Sequence, residues 1–150
     1  MRGTTQNSLY VAGQHFRRVI RIMGGIDKRK TGDPKRPDAR EIGQIAKLYA
    51  HLKEGTARLD RFFSEGDNAD IPEDTIDMLF EANGKIKITM TYITEIFMMR
   101  LAIDDLPPGI LRRYESYASD KENIGHVECH VYCAISLIDQ ILRIVSNSNK

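Results

Sequence analysis

The sequence has no tryptophan, only two cysteines and only 7% aromatic residues. It also has no uninterrupted apolar run near the ~20 residues that a membrane span needs, so no membrane partner is expected. Residues 1–8 lack the apolar core of a signal peptide, so the cytoplasm is the expected compartment. Cys129 and Cys133 sit four apart in a helical pattern, which places their side chains badly for a mutual disulfide. Reduced thiols fit a cytoplasmic protein. No HExxH, CxxC, P-loop or GxGxxG occurs, no GxSxG marks a nucleophile elbow, and no Glu-x-x-His pair serves a di-iron carboxylate site. Without a complete catalytic or cofactor signature, the chain is expected to be non-enzymatic and to carry no cofactor.

What is present is helical periodicity. Ile42, Ile45, Tyr49, Leu52, Thr56, Leu59 and Phe63 step by three and four, as do Ile76, Leu79, Asn83, Ile86, Met90, Ile93 and Phe97. That spacing holds an apolar seam on one side of a helix and predicts helices packed lengthwise against helices. A chain of 150 residues with 41% hydrophobic and 29% charged content is most simply one domain. At that length it can bury roughly 70% of its unfolded surface.

Four helices are expected, at about 4–23, 38–65, 72–103 and 110–146. Leu9, Ala12, Phe16, Val19, Ile20 and Met23 stripe the first, and Gly24-Gly25 ends it. Asp38 is the expected N-cap of the second, with Glu41 as capping-box partner. Glu73 and Asp74 suit the dipole at the start of the third. Asn83-Gly84 followed by the alternating residues 85–92 also fits a turn and a strand. That strand has no partner elsewhere, and the ladder runs through Asn83 in register, so a helix kinked there is the favoured reading. Val127, Val131, Ala134, Ile138, Ile141 and Val145 stripe the fourth. The expected fold is all-α: an antiparallel four-helix bundle with a long basic loop between its first two helices. Ile45, Leu52, Leu59, Ile86, Ile93, Phe97, Val131 and Ile138 should be largely buried, and Met78 and Met90 should pack in the core.

Net charge is +1 but unevenly spread. Residues 1–48 hold eleven Lys or Arg against four Asp or Glu, a balance of +7, and the remainder carries −6. Arg17, Arg18 and Arg21 cluster by helical spacing, and Lys28, Arg29, Lys30, Lys35, Arg36 and Arg40 follow. Positive charge gathered in one region attracts phosphate and releases counterions, so a nucleic-acid backbone is one expected partner. Docking on an acidic protein surface, or on the acidic remainder of a second copy, is the other.

A second constellation is Gly125-His126-Val127-Glu128-Cys129-His130-Val131-Tyr132-Cys133. His126, Cys129, His130 and Cys133 fall within about a 100° arc of one helix. Zinc favours imidazole and thiolate, but one helix cannot wrap four ligands around an ion, so another helix must contribute. His51 on the second helix is a candidate. The trio His51, His126 and His130 is similar in layout to the metal-binding DinB-like helical bundles, which use one histidine on the second helix and an HxxxH pair on the fourth. The resemblance implies a metal-dependent bundle holding a divalent ion such as zinc. It covers Ala50-His51-Leu52 and residues 126–130 only. The blander reading has the histidines hydrogen-bonding at the edge of the core and the cysteines filling space as small hydrophobes.

The favoured functional reading is a helical binding or adaptor subunit of a larger assembly. A metal-dependent bundle and a self-assembling structural bundle are the alternatives.

Overall fold

A computed structural model of the chain describes residues 3–25, 39–65, 70–101, 105–110, 112 and 122–148. Among these no strand occurs, and the fold is all-α. Four long helices carry it: α1 (Gly3–Gly25), α2 (Ala39–Glu65), α3 (Glu73–Leu101) and α4 (Glu122–Ser148). Residues 85–92 lie inside α3 and are not a strand. The seven-residue ladder prevails over local alternation because a helix satisfies its backbone within itself, whereas an isolated strand leaves its backbone groups unpaired. Of the expected fourth helix at 110–146, the structure shows α4, with helical residues also at 108–110 and 112. Asp38 and the basic loop from Lys28 to Arg36 lie outside the described residues.

α1 packs on α2 and α4, and α3 packs on α4 and more slenderly on α2. Contacts order the helix pairs. Thr5 at the start of α1 donates to Glu65 at the end of α2 at 2.6 Å. His15 meets His51 midway along both. The next pair is held by Asp60 of α2, which accepts from Asn83 at 2.9 Å and from Lys87 at 2.7 Å. Phe63 and Phe80 meet edge to face, with centroids 5.2 Å apart.

The expected stripes of α1 and α4 are buried, with Ile20 only partly covered. The stretch Val127–Asn147 is 21 residues long with a mean hydropathy of 1.3, enough by length and composition to cross a membrane. Its valines and isoleucines at 127, 131, 138, 141 and 145 face the core, and Cys129, Tyr132, Cys133, Ser136, Gln140 and Arg143 face outward. About 33% of that window is buried inside the protein.

The ladder of α2 is only half right. Leu52, Thr56 and Leu59 are buried, but Ile45 and Phe63 are partly covered, and Ile42 and Tyr49 are more than a third exposed. Leu48, Gly55 and Phe62 are buried instead. At 100° per residue the buried face is turned by roughly 50° from the ladder. The turn points toward α1, whose Phe16 ring lies against the α2 backbone at Gly55. A Cβ added at Gly55 would lie 2.5 Å from the ring of Phe16. Met78 was expected in the core and is exposed, while Met90 is partly covered. The side chains of Phe97, Met98 and Met99 lie outside the described residues.

Asn83 stands in the seam of α3, 3% exposed. Its Nδ2 donates to Asp60, but its buried Oδ1 accepts no hydrogen bond among the described residues. A buried acceptor left bare costs about 1–3 kcal/mol. Asp60 is half exposed and is held by Lys87, so it does not need the amide. Asn83→Leu, similar in volume, is therefore expected to raise stability by about 1 kcal/mol in a urea melt. A variant less stable than the parent would show that the amide has a partner worth more than its desolvation.

Candidate functional site

The cations divide by helix. On α3, Lys87 pairs with Asp60 at 2.7 Å and Lys85 with Glu81 at 3.0 Å. On α2, Arg61 pairs with Glu65 at 3.1 Å. Arg17, from the expected basic cluster, is taken up by α4: its Nη2 donates to both carboxylate oxygens of Asp139, at 2.8 and 2.7 Å. The pair is 49% and 40% exposed, so it contributes little to stability and mainly removes Arg17 from the free positive charge.

Arg18 and Arg21 on α1, and Arg40, Lys47, Lys53 and Arg58 on α2, make no ion pair among the described residues. All but Arg58 are exposed, and Arg58 is half-buried. Arg18, Arg21 and Arg40 belong to the cluster expected from sequence. Lys47, Lys53 and Arg58 were overlooked, since α2 alone mixes them with Glu41, Glu54 and Asp60. Lys28, Arg29, Lys30, Lys35 and Arg36 lie outside the described residues.

At the seam of α1 and α2 the structure places a contact that spacing could not show. Nδ1 of His15 and Nδ1 of His51 are 3.0 Å apart, with ring centroids 5.2 Å apart and planes inclined at 37°. One ring must carry its proton on Nδ1 and the other must accept with a bare Nδ1. The pairing of the two helices creates the match: Thr5 meets Glu65 and Phe16 lies on Gly55, so His15, beside Phe16, comes within reach of His51, one turn before Gly55 on α2. Burial lowers the pKa of His15 below the usual 6.5, and the neighbouring His51 lowers it further. Glu54 opposes the shift, while Arg18 and Arg58 add to it. His51 is lowered by burial and by Arg18.

The sign of the pH dependence follows. Unfolded histidines take up protons near pH 6.5, whereas these two resist protonation in the fold. The folded state then binds fewer protons than the unfolded state, and stability falls as pH drops from about 6.5 through the lower folded values. Thermal melts between pH 7.5 and 5.5 are expected to show a falling melting temperature. His51→Gln should shrink that fall. An equal fall in parent and variant would place the acid sensitivity elsewhere.

His51 was expected to join His126 and His130. Among the described residues its ring meets that of His15. α2 is not among the helices that α4 packs on extensively. The side chain of His126 lies outside the described residues, and His130 is half-buried. Among the described residues no group of three or more His, Cys, Asp or Glu side chains converges as a metal site. Cys129 and Cys133 are free thiols one turn apart and both are exposed, so they do not fill core space.

Three large apolar side chains of α3 are exposed. Met78, Phe80 and Ile88 on α3 are 53%, 63% and 59% exposed. The chain matches no protein-family model, and no curated protein or solved structure is significantly similar to it.

Proposed function

We propose that this chain is a non-enzymatic helical binding subunit, built as an antiparallel four-helix bundle and working in the cytoplasm within a larger assembly. Its basic face contacts the backbone of a nucleic acid. One observation carries this reading: Arg18 and Arg21 of α1 and Arg40, Lys47, Lys53 and Arg58 of α2 lack ion-pair partners among the described residues, while Lys85 and Lys87 of α3 are neutralised. Unneutralised charge is what a polyphosphate rewards, because each contact releases condensed counterions. Met78, Phe80 and Ile88 on α3 are exposed apolar side chains that a protein partner in the assembly could cover.

The test is an anisotropy titration with single- and double-stranded DNA and RNA at low salt. Binding is expected to weaken steeply as salt rises, by about 0.9 in the log–log slope per phosphate neutralised on duplex DNA. Sequence preference should be weak, since phosphate contacts position a protein without reading bases. Changing Arg18, Arg21 and Arg40 together to Gln should weaken binding and flatten the slope by up to about 3 without unfolding the chain. No binding to any of the four nucleic acids at micromolar protein would eliminate this reading and leave protein association as the use of the charge.

A further inference from the structure

The contact between His15 and His51 is more than a packing detail. Neither ring makes another hydrogen bond among the described residues, so each retains an Nε2 free to bind something else. Arg18 lies three residues beyond His15 on α1, and Arg58 lies seven beyond His51 on α2, two helical turns along the same side. Both guanidiniums act electrostatically on His15, and Arg18 acts on His51. Among the described residues, Glu54 is the carboxylate that acts on the pair. On the other side of α1, Arg17 and Asp139 satisfy each other.

Two imidazoles side by side first suggest a metal ion. Two neighbouring guanidiniums repel a cation, and no third ligand completes a metal group among the described residues. An oxyanion meets neither objection. Guanidinium and imidazolium both donate charge-assisted hydrogen bonds to phosphoryl oxygens. An anion between the helices would also offset the positive charge that, after burial, resists protonation of the rings.

We propose that His15, Arg18, His51 and Arg58 form a phosphoryl-binding site at the seam of α1 and α2. The ligand is a phosphate group, either free or in a nucleic-acid backbone. Only the second source rests on the function proposed above. Binding takes up protons onto the imidazoles, so the site holds its anion more tightly in acid than in base. Glu54 weakens the site by standing among its cations.

The experiment follows the histidine ring resonances by NMR while inorganic phosphate is added at pH 6 and pH 8. Sulfate serves as the oxyanion whose charge is the same at both. A parallel titration uses a labelled oligonucleotide. Saturable shifts of His15 and His51 are expected with both ions at pH 6, and sulfate should bind about 10-fold more weakly at pH 8. Arg18→Gln and Arg58→Gln should each weaken binding by about 5- to 10-fold, since a charge-assisted hydrogen bond is worth roughly that factor or more. Glu54→Gln should tighten binding by about 2- to 5-fold, the size of an exposed charge interaction. That gain is one that mere damage to the fold cannot mimic. Phosphate binding without oligonucleotide binding would support the site with free phosphate as its ligand and remove the nucleic-acid reading. Oligonucleotide binding that ignores Arg58→Gln and Glu54→Gln, with no ring shifts from either ion, would overturn the site and leave the broader basic face standing. Ring shifts that are no tighter at pH 6 than at pH 8 for sulfate would also overturn it.

Discussion

Phe16→Ala is expected to lower the unfolding free energy by about 3–5 kcal/mol, the usual cost of truncating a buried aromatic side chain. Phe16 is fully buried among Leu9, Ala12, Val19, Leu52 and Leu59 of the core cluster. Its ring lies on the backbone of α2, where Gly55 leaves no side chain in the way. Helix backbone cannot move into the space a lost ring leaves as easily as a flexible side chain can. Little of the cavity should therefore collapse, and the cost should fall in the upper part of the range. Small domains have only about 5–15 kcal/mol in total, so the variant should unfold at markedly lower denaturant. A guanidinium melt superimposable on that of the parent would mean that Phe16 does not join α1 to α2.

The second large effect comes from the opposite change at the same contact. Three ring atoms of Phe16 lie 2.5–2.9 Å from where a Cβ would sit on Gly55. No Cβ occupies such a space, so the helices must separate or the ring must leave its rotamer. Gly55→Val is expected to cost about 3 kcal/mol, at the upper end for an overpacked core. Valine gains little helix propensity over glycine to offset this, whereas alanine regains ~1 kcal/mol. Gly55→Ala should therefore cost less than Gly55→Val. Joining Gly55→Ala to Phe16→Leu frees the space the new methyl needs. The double variant should be more stable than the sum of its single changes allows, with a coupling of about 1 kcal/mol or more. Strict additivity in that cycle would show that residues 16 and 55 do not touch.

The α1–α2 contact also locates the candidate site. The helices approach closely at Gly55, so residues on either side of that point are drawn together. His15 and His51 meet because they flank it. Loosening the contact should thus disturb the histidine pair as well as stability, through the same backbone separation.

Much of the fold was legible in the chain. Leu9, Ala12, Phe16, Val19 and Met23 on α1, and Val127 to Val145 on α4, are buried as their spacing implies. A helix presents one face by a fixed rotation per residue, and that rotation is local chemistry. The ladder through Asn83 likewise chose helix over strand before any neighbour was considered. The tertiary structure decided which side of α2 is buried. A ladder of seven-residue steps drifts about 20° per heptad on a straight helix, so over the three heptads from Ile42 to Phe63 it cannot specify a face. Gly55 and Phe16 settled the matter by letting α1 close in, leaving Ile42 and Tyr49 outside.

The site divides in the same way. A sequence shows that cations are plentiful, and Arg18, Arg21 and Arg40 were visible as such. It does not show which of them meets a carboxylate. Arg17 is taken by Asp139, 122 positions away, while Arg18, its neighbour, points elsewhere. One residue along a helix is a turn of 100°, enough to send adjacent arginines to different partners. His51 carries the same lesson. Its histidine partner is 36 positions earlier on α1. Spacing within one helix brought His126 and His130 to notice, but the pairing of His15 with His51 depends on the register between two helices. That register is set by the close approach at Gly55 and by the Thr5–Glu65 bond at the far end, and neither is written in the periodicity of either helix.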